Sequence, residues 1–367
     1  SKIKISGNYA FVADGFAGIK VLDLTNTANP KEISHYRTDD AASDIFILGN
    51  YAYVTCYSKG LKILNISDAL NITQTGSYDT PGTALAVFVS GNYAYVADDD
   101  QGLTIIDIAN PSFPHFEGGF MYYGGSARDV VVSGSYAYYS EMVWNMVVIL
   151  NISNPTLPQY VWSVTRDGVG FYPQSLALYN DRLYVTDGWN GNIQIWDITD
   201  PYYPSLISLL ETDGTAEEVL VVNGLIYLSD GNAGLKILDA TDINNPVLSA
   251  YYNSLGTSYG AYPADTLILL ADGSGGINIL KPFGVSLSHP QKGEKIKGVS
   301  VYKISWISFE NNIDNFRLLL SQNGGISFDD TIAQNIAATN TCYNWNVPAL
   351  NSAQCRIMLQ AVDAASS

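Results

Sequence analysis

The chain has 367 residues, 47% of them hydrophobic and only 14% charged, which suits packed cores in two domains and not a disordered chain. Its formal net charge of −17 argues against nucleic acid and anionic lipid as partners, because both call for a surplus of Lys and Arg. No apolar run reaches the roughly 18 residues that a spanning helix needs, and a surface poor in charge and rich in Tyr (26 residues) suits an extracellular protein.

The chain opens at Ser1-Lys2-Ile3 without an initiator Met, so upstream sequence is expected to have been removed or left out. From there a motif recurs. Gly7-Asn8-Tyr9-Ala10-Phe11-Val12, Gly49-Asn50-Tyr51-Ala52-Tyr53-Val54 and Gly91-Asn92-Tyr93-Ala94-Tyr95-Val96 are near copies. Weaker copies start at Gly134, Asp181, Gly224 and Asp265, so that equivalent residues stand at 11, 53, 95, 138, 184, 227 and 269. A fixed period of this size is the mark of a repeat architecture.

Each unit predicts four short strands. In the third, Ala86–Val89 leads through Ser90-Gly91-Asn92 into Tyr93–Ala97, then Leu103–Asp107, then, after Asn110-Pro111-Ser112-Phe113-Pro114, a strand from His115. Gly-Asn between apolar runs signals a tight hairpin, which requires positive φ in the turn. The prolines cannot donate to a central ladder and suit a blade edge. No 3.6-residue period appears, which rules out a helical solenoid. The expected fold is all-β: a seven-bladed β-propeller of four-stranded blades over residues 1–281, followed by a small β-sandwich over 285–367.

The stretch Gly102-Leu103-Thr104-Ile105-Ile106-Asp107-Ile108-Ala109-Asn110-Pro111 resembles the LVIVD repeat, as do Ile149-Leu150-Asn151-Ile152-Ser153-Asn154-Pro155 and Ile195-Trp196-Asp197-Ile198-Thr199-Asp200-Pro201. The resemblance implies a propeller on a surface or secreted protein and brings no catalytic residues with it.

Beyond Lys281-Pro282 the period stops. Val285–Pro290, Val301–Trp306, Phe316–Ser321, Asp330–Ile336, Thr341–Pro348 and Cys355–Val362 read as six strands of an immunoglobulin-like or fibronectin-like sandwich. Cys342 and Cys355 are placed to form one disulfide, leaving Cys56 a lone thiol. Both domains read one strand short: the seventh blade ends after Gly276–Leu280, and the sandwich lacks a seventh strand. Truncation explains this simply; the alternative is that copies of the chain supply strands to one another, making a filament.

Three positions after each repeat marker stands Asp14, Asp98, Glu141, Asp187, Asp230 or Asp272, with Cys56 as the exception in the second unit. These carboxylates belong to the loop between the second and third strands. The same face is expected to carry Asp39, Asp40, Asp44, Asp129, Asp167, Asp213, Glu217 and Glu218 from the connections between blades. A Ca²⁺ site of hard oxygen ligands is the functional reading; turn capping, which every blade would need alike, is the structural one. Trp144 and Trp189 break the symmetry and offer rings to a glycan or a peptide, or else cap the blade edges. The sequons at Asn65, Asn71 and Asn151 permit N-glycosylation, Asn71 being the best placed.

No nucleophile motif is present, and His35, His115 and His289 fall in outer strands or the segment between domains. The leading expectation is therefore a secreted or cell-surface scaffold without enzymatic activity or cofactor, binding a protein partner, a glycan or copies of itself. The alternative is an extracellular propeller enzyme acting on polysaccharide, which predicts a deep pocket holding a carboxylate of raised pKa.

Overall fold

Repetition in sequence becomes repetition in space because every unit buries the same strand. The computed structural model describes residues 2–27, 29–166, 170–264, 267–280, 285–290, 294–308, 313–322, 328, 330–349 and 355–363. Among these residues there is no α-helix, and one 3-10 turn spans Gly273–Gly275. Residues 1–280 and 281–367 form two compact units.

Among the described residues the first unit shows seven antiparallel sheets, six of four strands and one of three. Sheet one comprises β1 (Lys2–Ser6), β2 (Tyr9–Ala13), β3 (Ile19–Asp23) and β4 (Lys31–Tyr36); sheet two, β5 (Asp44–Leu48), β6 (Tyr51–Thr55), β7 (Leu61–Asn65) and β8 (Thr73–Tyr78). Sheet three has β9 (Ala86–Ser90), β10 (Tyr93–Ala97), β11 (Leu103–Asp107) and β12 (His115–Phe120). Sheet four has β13 (Ala127–Ser133), β14 (Tyr136–Glu141), β15 (Met146–Asn151) and β16 (Gln159–Thr165). Sheet five has β17 (Pro173–Tyr179), β18 (Arg182–Asp187), β19 (Asn192–Asp197) and β20 (Ser205–Glu211). Sheet six has β21 (Glu218–Val222), β22 (Leu225–Ser229), β23 (Leu235–Asp239) and β24 (Val247–Tyr252); sheet seven, β25 (Gly260–Ala264), β26 (Leu267–Ala271) and β27 (Ile277–Leu280). The first strands pack in the cycle β1, β5, β9, β13, β17, β21, β25 and back to β1.

The second strand of each blade is covered on both faces by neighbouring blades, so its sequence is nearly continuously apolar instead of alternating. Ala10, Ala52, Ala94 and Ala137 are fully buried there. The first hairpins refine the turn expectation. Gly7, Gly49, Gly91 and Gly134 hold positive φ while the residue after each does not, the pattern of a II′ turn. Among the described residues, positive φ at both central residues of these hairpins occurs only at Asn180-Asp181 and Asn223-Gly224.

In the six complete blades the third and fourth strands slip register at one equivalent point, for example between Ile105 and Ile106. Such a bulge twists the outer edge away from pairing with another chain. The circle closes through side chains: Ile3, Ala10, Val12 and Leu24 of the first blade pack with Leu269 and Ala271 of the seventh. Among the described residues no strand pairs with the outer edge of β27.

Among its described residues the second unit shows two three-stranded sheets. One is β28 (Val285–His289), β29 (Ser300–Ser308) and β32 (Cys342–Val347); the other is β31 (Asp330–Ala337), β30 (Ile313–Ser321) and β33 (Arg356–Asp363). Its core gathers Ile304, Trp306, Phe316, Leu318 and Trp345, with the Trp306 and Phe316 rings edge to face at 5.3 Å. The expected bridge between Cys342 and Cys355 is not formed, and both thiols are free. Cys342 opens β32 in one sheet, whereas Cys355 lies just ahead of β33 in the other.

Candidate binding face

Loops joining second to third strands share one face with the connections between blades; Gly15 bridges Ala42, Tyr57 bridges Ala84, Asp99 bridges Ala127 and Gly231 bridges Ser258. Apart from Asp14, which is half-buried, the repeated loop carboxylates sit beneath this face, not on it. Asp98, Glu141, Asp187, Asp230 and Asp272 are fully buried. Asp98 accepts from Thr80 Oγ1 at 2.6 Å, Gly82 N at 3.1 Å and Thr104 Oγ1 at 3.1 Å. Asp230 repeats the pattern with Thr212 Oγ1 at 2.7 Å and Gly214 N at 3.1 Å. Asp272 takes Gly256 N at 3.1 Å and Asn278 Nδ2 at 2.9 Å. Glu141 accepts from Ser126 N and Val143 N, and Asp187 from Tyr172 N and Asn190 N. Each carboxylate thus ties its own loop to the connection entering its blade. That connection comes so close that a Cβ on Gly82 or Gly214 would collide with the carbonyl oxygen of Asp98 or Asp230.

Burial pushes the Asp98 carboxyl above its ordinary range, partly offset by its three donors, and burial does the same to Glu141. A partner six residues further along completes several of these sites, a regularity that spacing along the chain could have revealed. Lys20 pairs with Asp14 at 2.6 Å and Lys236 with Asp230 at 2.8 Å. Where Cys56 replaces the acid, the equivalent Lys62 turns instead to Asp39 at 2.6 Å. Burial raises the Cys56 thiol to about 12, so it is not a nucleophile at neutral pH. The acidic surface of this face therefore rests on outer residues such as Asp39 and Asp213, each already paired with a lysine. Asp167 lies outside the described residues.

Blades four and five carry the aromatic exception. Trp144 is half exposed, donates Nε1–H to the Tyr123 carbonyl at 3.0 Å and meets Tyr122 edge-on at 6.1 Å. Trp189 is 78% exposed, with Tyr172 at 5.6 Å. Tyr123, whose carbonyl meets Trp144, is 87% exposed. Tyr122 also packs against the blade core, whereas Tyr123, Trp144 and Trp189 keep at least half of their surface exposed.

At the centre runs a channel of about 570 Å³. At equivalent positions near the start of its seven lining strands stand Lys2, Asp44, Ala86, Asp129, Ser175, Glu218 and Gly260, so carboxylates alternate with small side chains around one lysine. Each carboxylate reaches the next blade. Asp44 accepts from Val87 N at 2.9 Å, Asp129 from Leu176 N at 2.8 Å and Ser175 Oγ at 3.0 Å, and Glu218 from Ala261 N at 3.2 Å. Lys2 closes the ring on Glu218 at 2.5 Å. Burial works against the Lys2 charge, but Glu218, Asp129 and Asp44 outweigh it and raise its pKa. Burial also raises Asp129, with Lys2 opposing. The sequence suggests the connections for Asp44, Asp129 and Glu218; the inner strands begin earlier than that, so these residues line the channel instead. Below them Phe46 and Phe88 pack at 5.0 Å, and Lys4 lies over the Tyr262 ring at 5.6 Å.

Asn65 and Asn151 act as turn caps, accepting from Ser67 N and Ser153 N at 2.9 Å. Asn71 is exposed and donates to Asp68 at 2.8 Å. Among the described residues, no three of the loop carboxylates bring their oxygens within 4.8 Å of one another.

Sheets wound around a shared channel, with loops and aromatic rings gathered on one face, define a β-propeller repeat protein. Residues 1–38, 40–80, 81–121, 124–166, 172–212 and 213–254 match the LVIVD repeat, and the chain belongs to that family. No curated protein matches it. Similar solved structures include a putative 6-phosphogluconolactonase from Bacteroides fragilis, 12% identical with a TM-score of 0.66 over 76% of this chain and 92% of that one. The β-propeller domain of Cps50 (Swd1) from Myceliophteria thermophila is 12% identical, TM-score 0.61, over 76% and 94%. The WD40 β-propeller domain of Doa1 is 8% identical, TM-score 0.62, over 76% and 90%. At such identities these likenesses establish the fold alone. No helix among the described residues is long and apolar enough to cross a membrane.

Proposed function

We propose that this protein is a secreted or cell-surface scaffold without enzymatic activity, which binds a partner on its loop face and joins copies of itself by strand addition. One observation carries the assembly: six blades have four strands, while the seventh stops at β27 with its outer edge open among the described residues. An open edge is a template for another strand, and Ile277, Ile279 and Leu280 at this edge are only partly buried. The partner surface is the patch of Tyr123, Trp144 and Trp189, whose rings suit a peptide or a glycan. The second unit is read as an immunoglobulin-like spacer, and the low charge and high Tyr content support an extracellular setting. Asn71 is the sequon best exposed for glycosylation; intact-peptide mass spectrometry showing all three sequons unmodified removes that part.

Hydrogen exchange across Ile277–Leu280, read beside sedimentation over a range of concentrations, tests the assembly. Protection of the outward amides that appears only as larger species form supports it. A monomer at every concentration, with those amides either fast or already protected, overturns it and leaves partner binding to be tested on the aromatic patch.

The polysaccharide-enzyme reading has one observation in its favour, the deep channel with Asp129 raised by burial. Against it, the oxygens of Asp44, Asp129 and Glu218 already accept backbone or lysine donors, which makes these side chains ties between blades. Polysaccharide turnover abolished by Asp129→Asn in a folded protein would reverse that preference.

A further inference from the structure

We propose that Asp107, His115 and Glu117, on the outer edge of the third blade, form a binding site for a borderline transition-metal dication of the Zn²⁺ class. One ligand atom from each of the three lies within 4.8 Å of the others. The register explains the meeting. Asp107 faces His115 directly across β11 and β12, and the shift between Ile105 and Ile106 leaves Glu117 as the extra residue of the bulge. His115 and Glu117 are two apart on one strand and so fall on the same side as Asp107.

The fold accounts for only one of these three residues. Asp107 accepts from Ala109 N at 2.8 Å, as Asp23 does from Thr25 N, Asp197 from Thr199 N and Asp239 from Thr241 N. That turn cap recurs in blade after blade and uses one carboxylate oxygen, leaving the other for a ligand. The positions of His115 and Glu117 are occupied elsewhere by Lys31 and Ile33, Thr73 and Thr75, Gln159 and Val161, Ser205 and Ile207, and Val247 and Ser249. No other complete blade has a histidine or a carboxylate at either place, so the fold does not require them.

His115 Nδ1 lies 3.4 Å from the Phe113 carbonyl oxygen; the tautomer that donates along this contact leaves the Nε2 lone pair for a ligand, the usual support for a ligating histidine. One imidazole with two carboxylates suits Zn²⁺ and its neighbours, whereas Ca²⁺ takes six or more oxygens, and Mg²⁺ likewise prefers an all-oxygen shell. Three protein ligands leave a coordination position open to water or to a group on another molecule.

Isothermal titration of the full chain with Zn²⁺, and separately with Ca²⁺, tests the site beside His115→Ala and Glu117→Gln. The expected result is one saturable Zn²⁺ site, weakened about tenfold or more by either substitution, with no Ca²⁺ heat that depends on them. Both positions lie on an outer strand, so unchanged melting in chelator shows that the variants fold. Absence of saturable Zn²⁺ binding, or binding that both variants retain in full, overturns the proposal and, in the second case, points to His35 or His289.

Discussion

Replacing Asp98 by alanine removes the acceptor that ties the third blade's loop to the connection entering that blade. Three donors lose it: Thr80 Oγ1, Gly82 N and Thr104 Oγ1. Bonds to a charged acceptor contribute about 1.5–3 kcal/mol each, but two of the donors are hydroxyls free to rotate towards other acceptors. The backbone N–H of Gly82 cannot turn away. Relief from burying a charge offsets part of the loss, and that cost is real because burial raises the carboxyl's pKa. The net destabilisation expected is about 2–4 kcal/mol, at the upper end for a single substitution. Urea unfolding followed by tryptophan fluorescence measures it, with Asp100→Ala as the control. Asp100 is exposed on the same loop, and its loss should cost no more than about 0.5 kcal/mol. If Asp98→Ala matches that control, the buried carboxylates do not hold the loops, and the account of the recurring acid is wrong.

Asp98→Asn tests the sign of the electrostatics. A carboxyl whose pKa is raised in the fold gives stability that is full below its unfolded value of about 3.9 and is lost as pH rises through the folded value. The advantage of the wild type over Asp98→Asn should therefore shrink as pH climbs from about 4, which parallel denaturation curves will read; an advantage that grows contradicts the assignment. Gly214→Ala drives a Cβ against the backbone oxygen of Asp230 and should cost about 1–3 kcal/mol in the same experiment, with no loss if the connection can simply move aside. Trp189→Ala should shift the unfolding midpoint hardly at all, within about 0.5 kcal/mol, because the ring is exposed; a loss above about 1 kcal/mol would make it a cap on the blade and not a contact surface.

The repeat was legible in residues because its chemistry is local. A Gly-Asn turn, an apolar second strand and an Asp-x-x-Asn-Pro stop each act within a few positions, and seven copies, three of them nearly identical, cannot be mistaken for chance. The loop acids were legible as a pattern but not as a place. An acid at the start of a loop reads as a surface turn, and only the approach of Asp98 to Thr80 and Gly82 of the incoming connection shows it to be internal. Cys342 and Cys355 remain free thiols, because two cysteines in one small domain pair only where the fold brings their Cβ atoms within bonding distance, which the sequence does not specify.

What the sequence determined by itself was therefore periodic: the strands, the turns that join them, and the residues that recur because each blade must solve the same packing problem. What only the tertiary structure decided lies between blades. Lys2, Asp44, Asp129 and Glu218 are far apart in the chain and come together because the strands that bear them line one channel. Glu117 meets Asp107 and His115 because a bulge adds a residue to one strand. Such meetings depend on the closing of the ring and on strand register, which are properties of the whole sheet arrangement and leave no mark on any short stretch of residues.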